Sequence, residues 1–132
     1  MVAVSRAHAA AEAACDIEAT MATLDDDPTY ELQPAGLVLR GRDFARSYYE
    51  HFFANCLPHI TGYALRSEWI ADGGVLQEYT LHVNTDGTNV RHDIIGILVF
   101  GSDGTLAGER IYAGDDLIQF MFGPFLDKAV RA

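Results

Sequence analysis

Residues Asn89–Ala113, NVRHDIIGILVFGSDGTLAGERIYA, decide the fold of this chain. Ile94, Ile95, Ile97, Leu98, Val99 and Phe100 form an apolar run rich in strand-forming residues. Such a run reads as a strand covered on both faces, and therefore central in its sheet. Gly96 interrupts it and is expected to mark a bend or bulge. Gly101-Ser102-Asp103-Gly104 is a turn, and Thr105–Ala113 resumes as a strand. A link that short makes the two strands antiparallel neighbours.

The period of two continues upstream. Val75–Val83 reads as a strand, joined to the long one by Asn84-Thr85-Asp86-Gly87, whose Asp-Gly pair is a strong hairpin signal. Tyr63–Ala71 precedes it across Asp72-Gly73-Gly74. Farther upstream the period is helical. Phe44, Tyr48 and Phe52, with Ala45, Tyr49 and Phe53 beside them, make one side of a helix from about Arg42 to Cys56, closed by Pro58. Thr29–Gln33 alternates as a short strand, stopped by Pro34-Ala35-Gly36. Ala10, Ala14, Ile17, Met21 and Leu24 follow helical spacing from Ser5 to Leu24, and Asp25-Asp26-Asp27 with Pro28 should end that helix. Leu117–Phe125 is a short apolar terminal segment. The expected fold is one α+β domain over residues 1–132. A curved antiparallel sheet packs on the N-terminal helices around an apolar pocket.

Composition narrows the function classes. The chain has 132 residues and is 49% hydrophobic, enough for one core. Its formal net charge is −10, from 19 acidic and 9 basic side chains, with no run of Lys or Arg. That balance argues against nucleic acid and against an anionic membrane surface as partners. Cys15 and Cys56 both fall in predicted helices on the expected buried side and read as free thiols. The alanine-rich start carries Arg6, His8 and Glu12, which a signal peptide's apolar core excludes. The expected setting is cytoplasmic. His51, His59, His82 and His92 lack metal-ligand spacing, so neither a metal nor another cofactor is expected.

Four segments carry a resemblance. They are Asp25–Leu32, then Pro34–Gly36 with Leu39–Asp43 and the aromatic helix, then Asp103–Leu106, and last Gly108–Tyr112 followed by Asp115 and Asp116. In that order they resemble the nuclear transport factor two-like superfamily, and the Glu-Arg-x-Tyr word resembles its SnoaL-like polyketide cyclase branch. The resemblance implies a cone-shaped sheet with a pocket, and relatives that catalyse ring closure, isomerisation or hydrolysis without cofactor. It also implies a homodimer through the outer sheet face, where Tyr30, Leu32, Tyr112 and Leu98 are expected. Fold likeness alone names no reaction.

The known mechanisms map incompletely. In the ketosteroid isomerase pattern, the base falls on Gln33 and the protonated aspartate of the long strand on Gly96, while the supporting helix tyrosine matches Tyr49. In the epoxide hydrolase pattern, the last-strand aspartate falls on Ile111, and Arg91-His92-Asp93 reproduces only part of the motif. The SnoaL-like acid/base aspartate falls on Asp115, with Asp116 competing, and either can instead cap the helix that follows.

Alternation offers other candidates. The parity of Gly96 turns His92 and Ile94 inward. It does the same for Glu109, Ile111 and Ala113, and for Gln77, Tyr79, Leu81 and Val83. His92 and Glu109 on adjacent strands can form a pair in which the carboxylate raises the basicity of the imidazole. The alternative places both at the wet end of the sheet. Tyr48, Tyr49, Tyr79 and Trp69 either line the pocket or pack in the core. Gln33 and Glu31 share a face and are candidates for ligand contact, with Glu31 replacing the absent base. The expected ligand is a small, apolar, oxygenated molecule. The other reading is a non-catalytic ligand-binding or protein-interaction domain of the same fold.

Overall fold

The computed structural model describes residues 1–132. Two helices open the chain, α1 (Val2–Ala13) and α2 (Ile17–Ala22). The periodicity predicts one helix from Ser5 to Leu24, but the chain breaks at Cys15, where φ is +54°. Asp16 then caps α2 by accepting from the Ala19 N–H at 3.0 Å. Cys15 is therefore exposed rather than buried, whereas Cys56 is buried as expected.

The acidic triplet does not end a helix. It lies in β1 (Leu24–Gln33), together with the buried Pro28. Pro28 has no N–H to give, and the pairing register shifts between Leu24 and Thr29, where it sits. Arg42 ties this entry down by donating to the carbonyls of Met21, Leu24 and Asp25. After the Pro34–Gly36 turn comes β2 (Leu37–Arg40), which the short polar-flanked segment did not announce.

The aromatic helix is α3 (Arg42–His51), extended by a wider π-helical turn at Phe52–Cys56 and a 3-10 turn at Leu57–His59. The meander is as expected: β3 (Ile60–Ala71), β4 (Gly74–Thr85), β5 (Thr88–Phe100) and β6 (Leu106–Tyr112) pair antiparallel in sequence order. Gly73, Gly87 and Gly104 hold positive φ in its three turns. The terminal segment forms α4 (Asp115–Phe122), a 3-10 turn at Gly123–Lys128, and β7 (Val130–Arg131) on the edge of β2.

The sheet has seven strands in the order β3-β4-β5-β6-β1-β2-β7. It is mixed rather than purely antiparallel, because β1 runs parallel to β6. Gly96 marks no bulge; it pairs regularly with Gln77 on one side and Ile111 on the other. A Cβ at Gly96 would lie 3.3 Å from Cε1 of Tyr79, so the glycine makes room for that ring.

The helices pack against one face of the sheet. One cluster of 22 buried residues joins α3, α4 and the sheet. Tyr48 stacks on Phe122 with centroids 4.4 Å apart and planes 5° apart. No helix is long and apolar enough to cross a membrane.

Candidate functional site

Between the helices and the sheet lies a cavity of about 340 Å³, lined by 19 residues of which 13 are hydrophobic. Tyr48, Tyr49 and Phe52 enter it from α3 and the turn after it. Gln77, Tyr79 and Leu81 enter from β4, Gly96 and Leu98 from β5, and Glu109 and Ile111 from β6. Those strand positions alternate as a period of two requires. The parity read from the sequence is therefore the parity observed for β4, β5 and β6.

The parity of β1 is reversed. Tyr30 and Leu32 are buried in the core, at 1% and 0% exposure. Glu31 and Gln33 alternate with them and face away from the cavity. Glu31 pairs across the outer face with Arg110 at 3.4 Å, so it replaces no base. Neither Glu31 nor Gln33 lines the cavity. The apolar pair goes inward because burying Tyr30 and Leu32 outweighs anything Glu31 and Gln33 gain there. Tyr30 and Leu32 are accordingly absent from the outer face, and Leu98 lies in the cavity wall.

Trp69 also stands outside the cavity. It pairs with Leu76, which pairs with Ile97, in the row that alternates with the cavity residues. Trp69 is 54% exposed.

His92 and Glu109 do not meet. The register sets Leu98 opposite Glu109, and His92 lies beyond the paired length of β6. His92 Nδ1 is instead 3.9 Å from Asp116 Oδ2. Asp116 also accepts from the Leu117 N–H at 2.9 Å. Asp115 is exposed in the first turn of α4 and does not line the cavity. Asp93 takes Arg91 at 3.1 Å and the Thr80 hydroxyl at 2.8 Å.

The partner of Glu109 is His8, on α1. His8 Nε2 lies 3.5 Å from Glu109 Oε1 and 3.0 Å from Glu12 Oε1. Glu12 follows His8 by one helical turn, and both face the cavity with Ser5. His8 is 3% exposed. Its Nδ1 is 2.7 Å from the Thr23 hydroxyl, which itself donates to the Thr20 carbonyl at 2.7 Å. With its proton committed there, the Thr23 oxygen accepts, so Nδ1 carries a hydrogen. Nε2 then faces two carboxylates. Burial by itself would lower the pKa of His8, but the hydrogen bonds to Glu109 and Glu12 and their charges prevail and raise it to about 10. At neutral pH His8 is an imidazolium.

A chain of hydroxyls continues from it. Tyr49 Oη is 3.3 Å from His8 Nε2, and Tyr30 Oη is 3.0 Å from Tyr49 Oη. Burial pushes the phenols of Tyr30, Tyr48, Tyr49 and Tyr79 up, so all four stay neutral. The Ser5 hydroxyl is buried in the same wall and has no hydrogen-bond partner. No group of three or more His, Cys, Asp or Glu is arranged to hold a metal ion.

Sequence reasoning missed His8 and Glu12. Their spacing of four, with Ser5 three residues before His8, was the available signal. Its position in an alanine-rich helix gave no hint of what it would face.

Solved structures share the fold. The epoxide hydrolase/cyclase-like enzyme SalBIII, from pyran ring formation in the polyether salinomycin, is 15% identical with a TM-score of 0.69. That match covers 86% of this chain and 89% of SalBIII. A putative isomerase from Bacillus subtilis is 18% identical with a TM-score of 0.69, over 92% and 91% of the two chains. A protein of ketosteroid isomerase-like fold from Catenulispora acidiphila, in complex with trimethylamine, is 16% identical with a TM-score of 0.65, over 91% and 89%. At these identities the likeness shows the fold. No curated protein matches the chain. A family model, the SnoaL-like domain, matches residues 5–109. The matched stretch runs from the buried serine of α1 to the carboxylate that His8 holds, and the chain belongs to the SnoaL-like family.

Proposed function

We propose that the cavity binds a small, largely apolar, oxygenated molecule and acts on it by acid/base chemistry, with Glu109 moving the proton. The observation that carries this reading is the Glu109 carboxylate at the wall of an apolar cavity, held on one oxygen by the His8 imidazolium. A cation with a pKa of about 10 does not release its proton at neutral pH, so His8 serves as a fixed charge. The proton acceptor is then a carboxylate. Glu109 is the less exposed of the two, at 19% against 31% for Glu12. Tyr79 lines the cavity with a neutral phenol that can donate to a ligand carbonyl or hydroxyl. Isomerisation, ring closure and hydrolysis are all within reach of this set.

The open cavity weighs against a pure interaction module, whose cone would be filled. A binding protein without turnover needs the same cavity but no competent Glu109. Thermal shift against steroids, aromatic polyketide mimics, terpenoid epoxides and fatty acids finds the ligand class, since a ligand of the native state raises the melting temperature. With a hit in hand, Glu109→Gln should keep binding and lose turnover by at least about a hundredfold. Unchanged turnover in that variant would sink the catalytic assignment.

We also propose a homodimer through the outer sheet face. Trp69, Ile95 and Tyr112 are exposed there, at 54%, 40% and 42%, and the half-buried Leu76 and Ile97 connect them.

A further inference from the structure

The cavity's charged groups are His8, Glu12 and Glu109, and no Lys or Arg lines it. With the imidazolium counted, the two carboxylates leave the site one negative charge in excess. His8 contacts Oε1 of each carboxylate. The second oxygen of each remains available to a ligand. The rings of Tyr48, Tyr49, Phe52, Tyr63 and Tyr79 line the same cavity. Ring faces attract cations, most strongly where water is excluded. A second, independent observation concerns Ser5. It is 4% exposed, its Oγ has no hydrogen-bond partner, and it lines the cavity one turn from His8. A buried hydroxyl is seldom left unpaired.

We propose that the molecule bound here carries a protonated amine on its apolar body, with the ammonium seated against Glu12, the Ser5 hydroxyl as a further acceptor, and the tyrosine rings around the body. This deepens the acid/base reading and rests on the cavity being a ligand site. A monocation brings the site to neutrality, whereas a carboxylate or phosphate ester would add to the excess negative charge in a poorly hydrated space. The chain's net charge of −10 steers cations toward it as well.

The test uses three probes of one shape: 2-naphthylmethylamine, 2-naphthylmethanol and 2-naphthoate, titrated calorimetrically into the full chain at pH 7. The amine should bind at least about tenfold tighter than the alcohol, and the carboxylate should bind worst. Glu12→Gln should bring amine and alcohol to near-equal affinity while leaving the alcohol's unchanged. Ser5→Ala, which removes only an unpaired hydroxyl, should leave the fold intact and weaken the amine alone by a few-fold. It carries the test if Glu12→Gln is poorly folded. Alcohol binding as tightly as amine, or carboxylate binding best, overturns the cationic ligand and leaves the cavity reading standing. Failure of all three to bind overturns both.

Discussion

The His8 imidazole stands 3.5 Å from the Glu109 carboxylate, tying the first helix to the last strand of the meander. α1 makes its main element contact with α2, so this pair and the exposed Arg6–Glu68 bridge at 3.3 Å are its polar links to the sheet. Exposed bridges contribute little. The buried one sets both the position of α1 and the charge of the cavity.

Stability should therefore depend on pH through His8. Its pKa is 6.5 when free and about 10 in the fold. The folded state prefers the protonated form, so the contribution is complete below pH 6.5 and is lost as pH rises through 10. The melting temperature should fall by roughly 5 °C or more between pH 6.5 and 9.5. His8→Gln should flatten that slope. The window stops below 10, where unfolded tyrosines begin to ionise. Parallel slopes in the two proteins would contradict the assignment.

Glu109→Gln should return the His8 titration toward the ordinary histidine range, since its first raising influence is the hydrogen bond to Glu109. Proton-detected NMR of the imidazole reads this directly. A midpoint unmoved by the substitution would mean that Glu12 alone holds the charge.

Gly96→Ala tests the cavity's shape. The added Cβ meets Tyr79 Cε1 at 3.3 Å and its hydroxyl at 3.7 Å, so the ring must shift into the cavity. A stability cost of about 1–2 kcal/mol is expected. Affinity for any cavity ligand should drop by about tenfold, while Ser102→Ala in the distant turn should change neither.

Gly108→Ala should be far more severe. φ there is +146°, and a Cβ would land on the Thr29 carbonyl where β1 runs beside β6. Backbone cannot yield as a side chain can. Loss of about 4 kcal/mol or more is expected, read as failure to give a cooperative melt.

For the outer face, Tyr112→Glu should convert a dimer to a monomer in sedimentation at micromolar concentration. Probe binding should stay within about twofold, because Tyr112 does not line the cavity. A wild-type protein that sediments as a monomer would sink the dimer.

The meander was legible from residues 63–113 because a period of two, punctuated by Asp-Gly and Gly-Gly turns, admits few other structures. The cavity faces of β4, β5 and β6 were legible for the same reason. Tyr48, Tyr49 and Tyr79 were named from the sequence and line the cavity; Trp69, Glu31 and Gln33 were named and do not. Periodicity says which residues share a face, and it does not say which face turns inward. On β1 the outcome followed burial of Tyr30 and Leu32, which depends on the parallel pairing with β6.

What the sequence by itself determined was local: the strands, their turns, the aromatic helix and the acidic balance. What only the tertiary structure decided was the meeting of His8 and Glu12 with Glu109, and the separation of Glu109 from His92. Contacts between α1 and β6 span almost the whole chain, and no local periodicity encodes them. They arise when the helices close over the sheet and a buried imidazole must find its charge a partner.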